Sequence, residues 1–182
     1  MRAVLLWSLL TVLAGCTSPA PLPPVAAFDL DRYMGRWYVI AHIPPPMTGN
    51  AFNAVEEYER VSEQRVDTRY SFNRGAFDGP RKVMHPTGFP GRGDSPAHWG
   101  MQFLWPFRAD YRIAWIDDAY QEVIVAREQR DYLWIMAREP LLAPARIEAL
   151  TERAVAMGYQ LDGLEMVPQQ SLAERVPLPP WP

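Results

Sequence analysis

The chain has 182 residues, a formal charge of −3 and one cysteine, Cys16. That length suits a single domain, and a lone cysteine excludes an internal disulfide. No block of basic residues is present to follow a phosphate backbone, so no nucleic-acid partner is expected.

The first segment in chain order is apolar. Arg2 precedes an apolar run over residues 3–14. The run is too short to stay in a bilayer as a spanning helix and reads as the core of an export signal over residues 1–15. It ends in Leu13-Ala14-Gly15-Cys16, which resembles the lipobox of bacterial lipoproteins. The resemblance implies cleavage before Cys16 and acylation of that residue. Thr17 stands where Asp would favour the inner membrane, so the implied address is the outer membrane, with the folded domain in the periplasm. One acyl chain holds a protein only marginally, whereas two or three anchor it durably.

Residues 16–27 form the lipidated cysteine and a tether, with Pro19, Pro21, Pro23 and Pro24. A segment so rich in proline is expected to be extended, at about 3.1 Å per residue, holding the domain roughly 30 Å from the lipid. Residues 28–170 are the expected domain, and residues 171–182, again proline-rich, a flexible tail.

Within the domain, short strands are predicted over residues 36–42, 53–61, 66–73, 81–85, 99–105, 111–116, 122–127 and 132–138. Pro44-Pro45-Pro46 ends the first and Pro86 the fourth. Residues 87–96, rich in Gly and Pro, read as a loop at one end of the fold. Even spacing of short strands indicates an all-β antiparallel meander, and closure into an eight-stranded up-and-down barrel would remove its edges. One helix follows. Pro144 suits its first turn and Gly158 its C-terminal cap. Ile147, Leu150, Ala154 and Met157 share a face, which the outer wall of a barrel would cover. A last strand over residues 164–167 is placed beside the first.

Alternation sets large side chains on common faces: Tyr70 with Phe72; Met101 with Phe103 and Trp105; Tyr111 with Ile113 and Trp115; Tyr132 with Trp134 and Met136. An eight-stranded barrel encloses either packed side chains or one small ligand. Aromatics interleaved with Met suit an alkyl chain, with Tyr hydroxyls left for a polar group. The candidate lining is therefore Tyr58, Tyr70, Phe72, Met101, Phe103, Tyr111, Ile113, Trp115 and Trp134. A filled core, or packing against the helix, is the alternative for the same residues. Glu56 and Glu57 point to opposite faces of their strand. Whichever faces inward needs a partner, for which Arg112 or Arg69 is available.

The run Tyr33-Met34-Gly35-Arg36-Trp37-Tyr38 resembles the signature of the bacterial and apolipoprotein D-like lipocalins. Asp131-Tyr132-Leu133-Trp134-Ile135-Met136-Ala137-Arg138 and Phe103-Leu104-Trp105-Pro106-Phe107 are similar to two further segments of that family, with Trp105 in place of its Gly. The resemblance spans residues 28–167. It implies that Gly35, Trp37 and Arg138 form a structural signature at the closed end of a barrel, with the guanidinium laid over the indole. It also implies binding of fatty acids or lysophospholipids, for lipid storage or transport in envelope maintenance under stress, and allows a homodimer. A carrier of another apolar molecule such as haem, or a structural envelope lipoprotein with a filled barrel, are the alternatives.

Nothing points to catalysis. His42, His85 and His98 have no metal-ligand spacing, and Ser62, Ser71 and Ser95 lack a nucleophile-elbow context. No enzyme activity, metal or cofactor is expected.

Overall fold

The computed structural model describes residues 20–178; the expected export signal and Cys16 lie outside them. Strands β1 (Gly35–Ile43), β2 (Ala51–Ser62) and β3 (Arg65–Arg74) pair antiparallel in chain order. β4 (Arg81–Met84) and β5 (Thr87–Pro90) both pair with β3 and act as two halves of one wall strand, interrupted at His85 and Pro86. β6 (His98–Leu104), β7 (Phe107–Ile116), β8 (Glu122–Ala126) and β9 (Leu133–Ala137) continue the meander, and β9 pairs with β1. The wall is thus an eight-stranded closed barrel, with no free edge inside it. β10 (Glu165–Met166) joins the far end of β1, at Ala41 and His42.

The strand at residues 87–90 corrects the expectation of a loop there. Gly88 makes it possible: a Cβ at that position would lie 2.9 Å from the Trp99 ring. The glycine marks a close approach within the sheet, not a turn. Only residues 91–97 form the connection, and Trp99, which follows it, packs on Tyr33 and Tyr58. This loop therefore sits at the closed end of the barrel, away from the mouth.

Side-chain alternation produces two cores. Trp37, Val39, Tyr58, Tyr70, Trp99, Met101, Tyr111, Ile113 and Met136 face inward. Tyr38, Ile40, Ile124, Ile135 and Ala137 face outward and are covered by Leu150 and Ala154 of α2 (Pro144–Ala156). β8 is buried on both faces, with Val123 and Val125 inside and Ile124 and Ala126 under the helix. Arg146 ties the helix to the wall through an ion pair with Glu122.

Both flanks of the domain lie on the barrel wall. Arg130 donates to the Ala20 carbonyl, Arg112 to that of Leu22, and the Val25 N–H to that of Ile113. Leu22 is buried in the outer core. From Ala20 onward, then, the expected spacer is a strap across the barrel and not a stand-off. The tail is likewise held: Arg175 lies over the Tyr38 ring at 4.6 Å, and Leu178 packs on the outer core.

Candidate ligand-binding site

The closed end is built around Trp37. Asp29 caps α1 (Leu30–Tyr33) by accepting from the N–H groups of Asp31 and Arg32, which lays this short helix across the barrel. The chain then turns into β1 at Gly35, whose φ of +89° is open to glycine at little cost. Trp37 is fully buried and its Nε1 donates to the Tyr33 carbonyl at 2.8 Å. The Arg138 guanidinium lies 3.8 Å over the Trp37 ring. It donates to the carbonyls of Arg36 (2.7 Å), Arg32 (2.8 Å), Met34 (2.8 Å) and Tyr33 (3.1 Å). One planar fork thus satisfies the carbonyls of the helix end and stacks on the indole together.

Above this floor lies a cavity of about 260 Å³, lined mainly by apolar groups, which opens at the opposite end. Its walls include Met84, Met101, Ala109, Tyr70, Tyr111 and Trp134; Pro45, Met47, Phe103 and Tyr132 stand toward the mouth. Of the residues expected to line it, Tyr70, Met101, Phe103, Tyr111 and Trp134 come together here. Tyr58, Phe72, Ile113 and Trp115 do not reach the cavity. Tyr58 stands beneath it in the aromatic floor, against Tyr33 and Trp99. Phe72 packs behind Tyr70, and Ile113 is sealed in the inner core. Trp115 is on the outside, under Arg153 of α2 at 4.4 Å. The cause is a register shift between Ile113 and Trp115 in the β7–β8 pairing. An extra residue in a strand reverses the faces beyond it, and alternation alone does not reveal it.

The rim exposes Met47, Phe103, Leu104, Trp105 and Phe107, the last three more than 70 %. Arg127 and Asp110 also line the cavity on the mouth side. Burial alone would raise the Asp110 carboxyl, but the Glu128 N–H, His98 and Arg112 hold it below the usual carboxylate range.

The most distinctive group in the cavity is Glu56. It faces inward, buried, and burial pushes its carboxyl up to about 7 against the opposing hydrogen bond from Tyr58. Neither arginine expected to partner the inward carboxylate does so. Arg69 and Arg36 bind Glu57 on the outer face, at 2.5 and 2.9 Å, and Arg112 binds Asp110 and Glu128. Instead, Glu56 ends a chain of phenols, in which Tyr58 hydroxyl meets Tyr111 at 2.6 Å and Tyr111 meets Tyr33 at 2.8 Å. The inward face of β2 is legible from its alternation. The aromatic partnership is not, because it joins α1, β2 and β7 across the barrel.

A blind, mostly apolar cavity in a closed antiparallel barrel defines a binding protein for a small hydrophobic ligand. Among the described residues no cluster of three His, Cys, Asp or Glu is placed to hold a metal ion. The family described as "Lipocalin-like domain" matches residues 28–169, and the chain belongs to it. Among relatives, "Outer membrane lipoprotein Blc" of Escherichia coli K12 is 26% identical over 164 residues, covering 87% of this chain and 90% of that protein. "Temperature-induced lipocalin-1" of Arabidopsis thaliana is 27% identical over 161 residues, covering 84% and 86%. In solved structures, insecticyanin from the tobacco hornworm Manduca sexta superposes with a TM-score of 0.63 at 16% identity, over 85% of this chain and 89% of that one. Lobster apocrustacyanin A1 gives 0.62 at 16% identity, over 79% and 81%. The structural likenesses are of fold.

Proposed function

We propose that the protein is a membrane-anchored carrier of amphipathic lipids, fatty acids or lysophospholipids, which stores or moves them in outer-membrane maintenance under stress. The observation that carries this reading is the blind cavity of about 260 Å³. It lies just below the usual range of small-molecule pockets, which favours one slender chain over a flat macrocycle such as haem. An open cavity also argues against a filled, purely structural barrel. Tyr70, Met101, Phe103, Tyr111 and Trp134 contact the chain, while Gly35, Trp37 and Arg138 hold the floor beneath it.

Acylated Cys16 supplies the anchor in this reading. The name of the Escherichia coli relative, an outer membrane lipoprotein, supports that address, and that of the plant relative, a temperature-induced lipocalin, supports a role under stress. Pairing of two copies belongs to the same proposal. Native mass spectrometry of the purified full chain tests it. A bound mass of a few hundred daltons, released on denaturation and identified as a fatty acid or lysophospholipid, is the expected result. A protein that stays empty and binds neither ligand at micromolar concentration overturns it.

A further inference from the structure

The inner end of the cavity carries polar chemistry that a hydrocarbon tail does not use. Thr68 and Tyr70 are 2 % and 4 % exposed, and both line the cavity beside Glu56. Thr68 Oγ1 and the Tyr70 hydroxyl have no hydrogen-bond partner among the described residues. Tyr58 donates to Glu56 Oε2. Glu56, Thr68 and Tyr70, on the neighbouring strands β2 and β3, thus line the same deep part of a mostly apolar space. Buried polar groups are normally paired, and unpaired ones carry a desolvation cost. A tail end resting there would leave that cost standing. A polar group entering first would remove it.

The charges around this part of the cavity select the kind of group. Tyr33 reaches it from α1, Tyr58 from β2, Tyr70 from β3 and Tyr111 from β7; all four phenols are held neutral by burial. Trp37, Met84, Met101 and Trp134 face the cavity region from β1, β4, β6 and β9 and carry no charge. Arg138 is occupied with carbonyls under the floor. An anionic head would therefore be buried against a carboxyl with no cation to offset it, which is strongly unfavourable. A hydroxyl can accept from Tyr70 or Thr68 and donate to Glu56. An ammonium can pair with the Glu56 carboxylate.

We infer that Glu56, Thr68 and Tyr70 form a polar subsite at the inner end of the cavity. Its ligand is the hydrogen-bond-donating, non-anionic end, a hydroxyl or an amine, of a single-chain amphiphile. This rests on the barrel being a lipid carrier and separates two modes of entry: a single-chain lipid with a hydroxyl or amine enters by that group, whereas a fatty acid offers the subsite only its methyl end. The carboxylate of a fatty acid and the phosphate of a lysophospholipid stay at the mouth, where Arg127, ion-paired with Asp131 at 3.0 Å, keeps an Nε that has no hydrogen-bond partner among the described residues.

The test is displacement of a fluorescent apolar probe from the delipidated full chain by dodecanol, dodecylamine and dodecanoate, at pH 6 and pH 8. At pH 8 the alcohol and the amine are expected to bind about ten-fold tighter than the acid, the worth of one well-made buried hydrogen bond. The amine should tighten from pH 6 to pH 8 as Glu56 ionises, and the acid should weaken. Glu56→Gln should bring the amine and the acid to within about three-fold of each other, and Thr68→Val or Tyr70→Phe should weaken the alcohol alone. Far-ultraviolet circular dichroism and a thermal melt show that each variant is folded; if one is not, the wild-type headgroup series still decides. Dodecanoate binding as tightly as dodecanol at pH 8 overturns the subsite while leaving the carrier intact, and would mean that water fills the polar end. Failure of all three to displace the probe overturns the carrier reading itself.

Discussion

Arg138 and Trp37 form one device, in which a guanidinium caps an indole while gathering the carbonyls of residues 32–36. Trp37→Ala should lower the unfolding free energy by about 3–5 kcal/mol, read from urea denaturation. Arg138→Lys keeps the charge but loses the fork, and should cost about 1–3 kcal/mol through unpaired carbonyls. Glu56 gives a prediction in pH. Its carboxyl titrates near 4.5 when free and near 7 when folded. Below pH 4.5 both states hold the proton and the group is neutral toward stability. Between 4.5 and 7 the unfolded chain loses the proton first, so stability falls as pH rises, by about 3 kcal/mol in all, and is level above 7. Glu56→Gln should remove that slope: equal to wild type near pH 4, and more stable by about 3 kcal/mol at pH 8. Parallel slopes for the two proteins would show that Glu56 is not buried as described.

At the scale of the element, α2 is held by few side chains. Leu150 and Ala154 are its buried residues, so Leu150→Ala should cost about 2–5 kcal/mol in a chemical melt while leaving the inner cavity unchanged. The helix and its apolar face follow directly from the spacing of Ile147, Leu150, Ala154 and Met157, and from Pro144 at its start. The strands follow from alternation and from proline stops. Two features were beyond that reach. The register shift after Ile113 moves Trp115 to the outer face, and nothing local in Ile113-Ala114-Trp115 signals it. Gly88 reads as a loop glycine, and only the presence of Trp99 across the ladder explains it. Of the site, the wall residues Tyr70, Met101, Phe103, Tyr111 and Trp134 were legible as one face of their strands. Thr68, Met84 and Ala109 were not, since small or isolated side chains carry no pattern and become lining only when strands meet.

For the whole molecule, the cavity predicts a separation of binding from folding. Ala109 lies opposite Met101 in the β6–β7 ladder and lines the cavity. Ala109→Trp should fill the space and abolish binding of a fluorescent fatty acid, with the far-ultraviolet circular dichroism of the fold retained. Trp115→Ala, on the outer face, should leave that affinity within about two-fold, because truncation at a distance from the ligand removes no contact. The strap has a consequence of its own. Ala20 comes to rest beside Arg130, in the β8–β9 turn that borders the mouth. With acyl groups on Cys16, as proposed, at most about 14 Å of chain separates the leaflet from this landing point. So short a leash leaves the barrel little freedom to roll. Trp105 and Phe107 would hover over the lipid surface, and a molecule leaving the bilayer would need almost no swim through water before it was sheltered again.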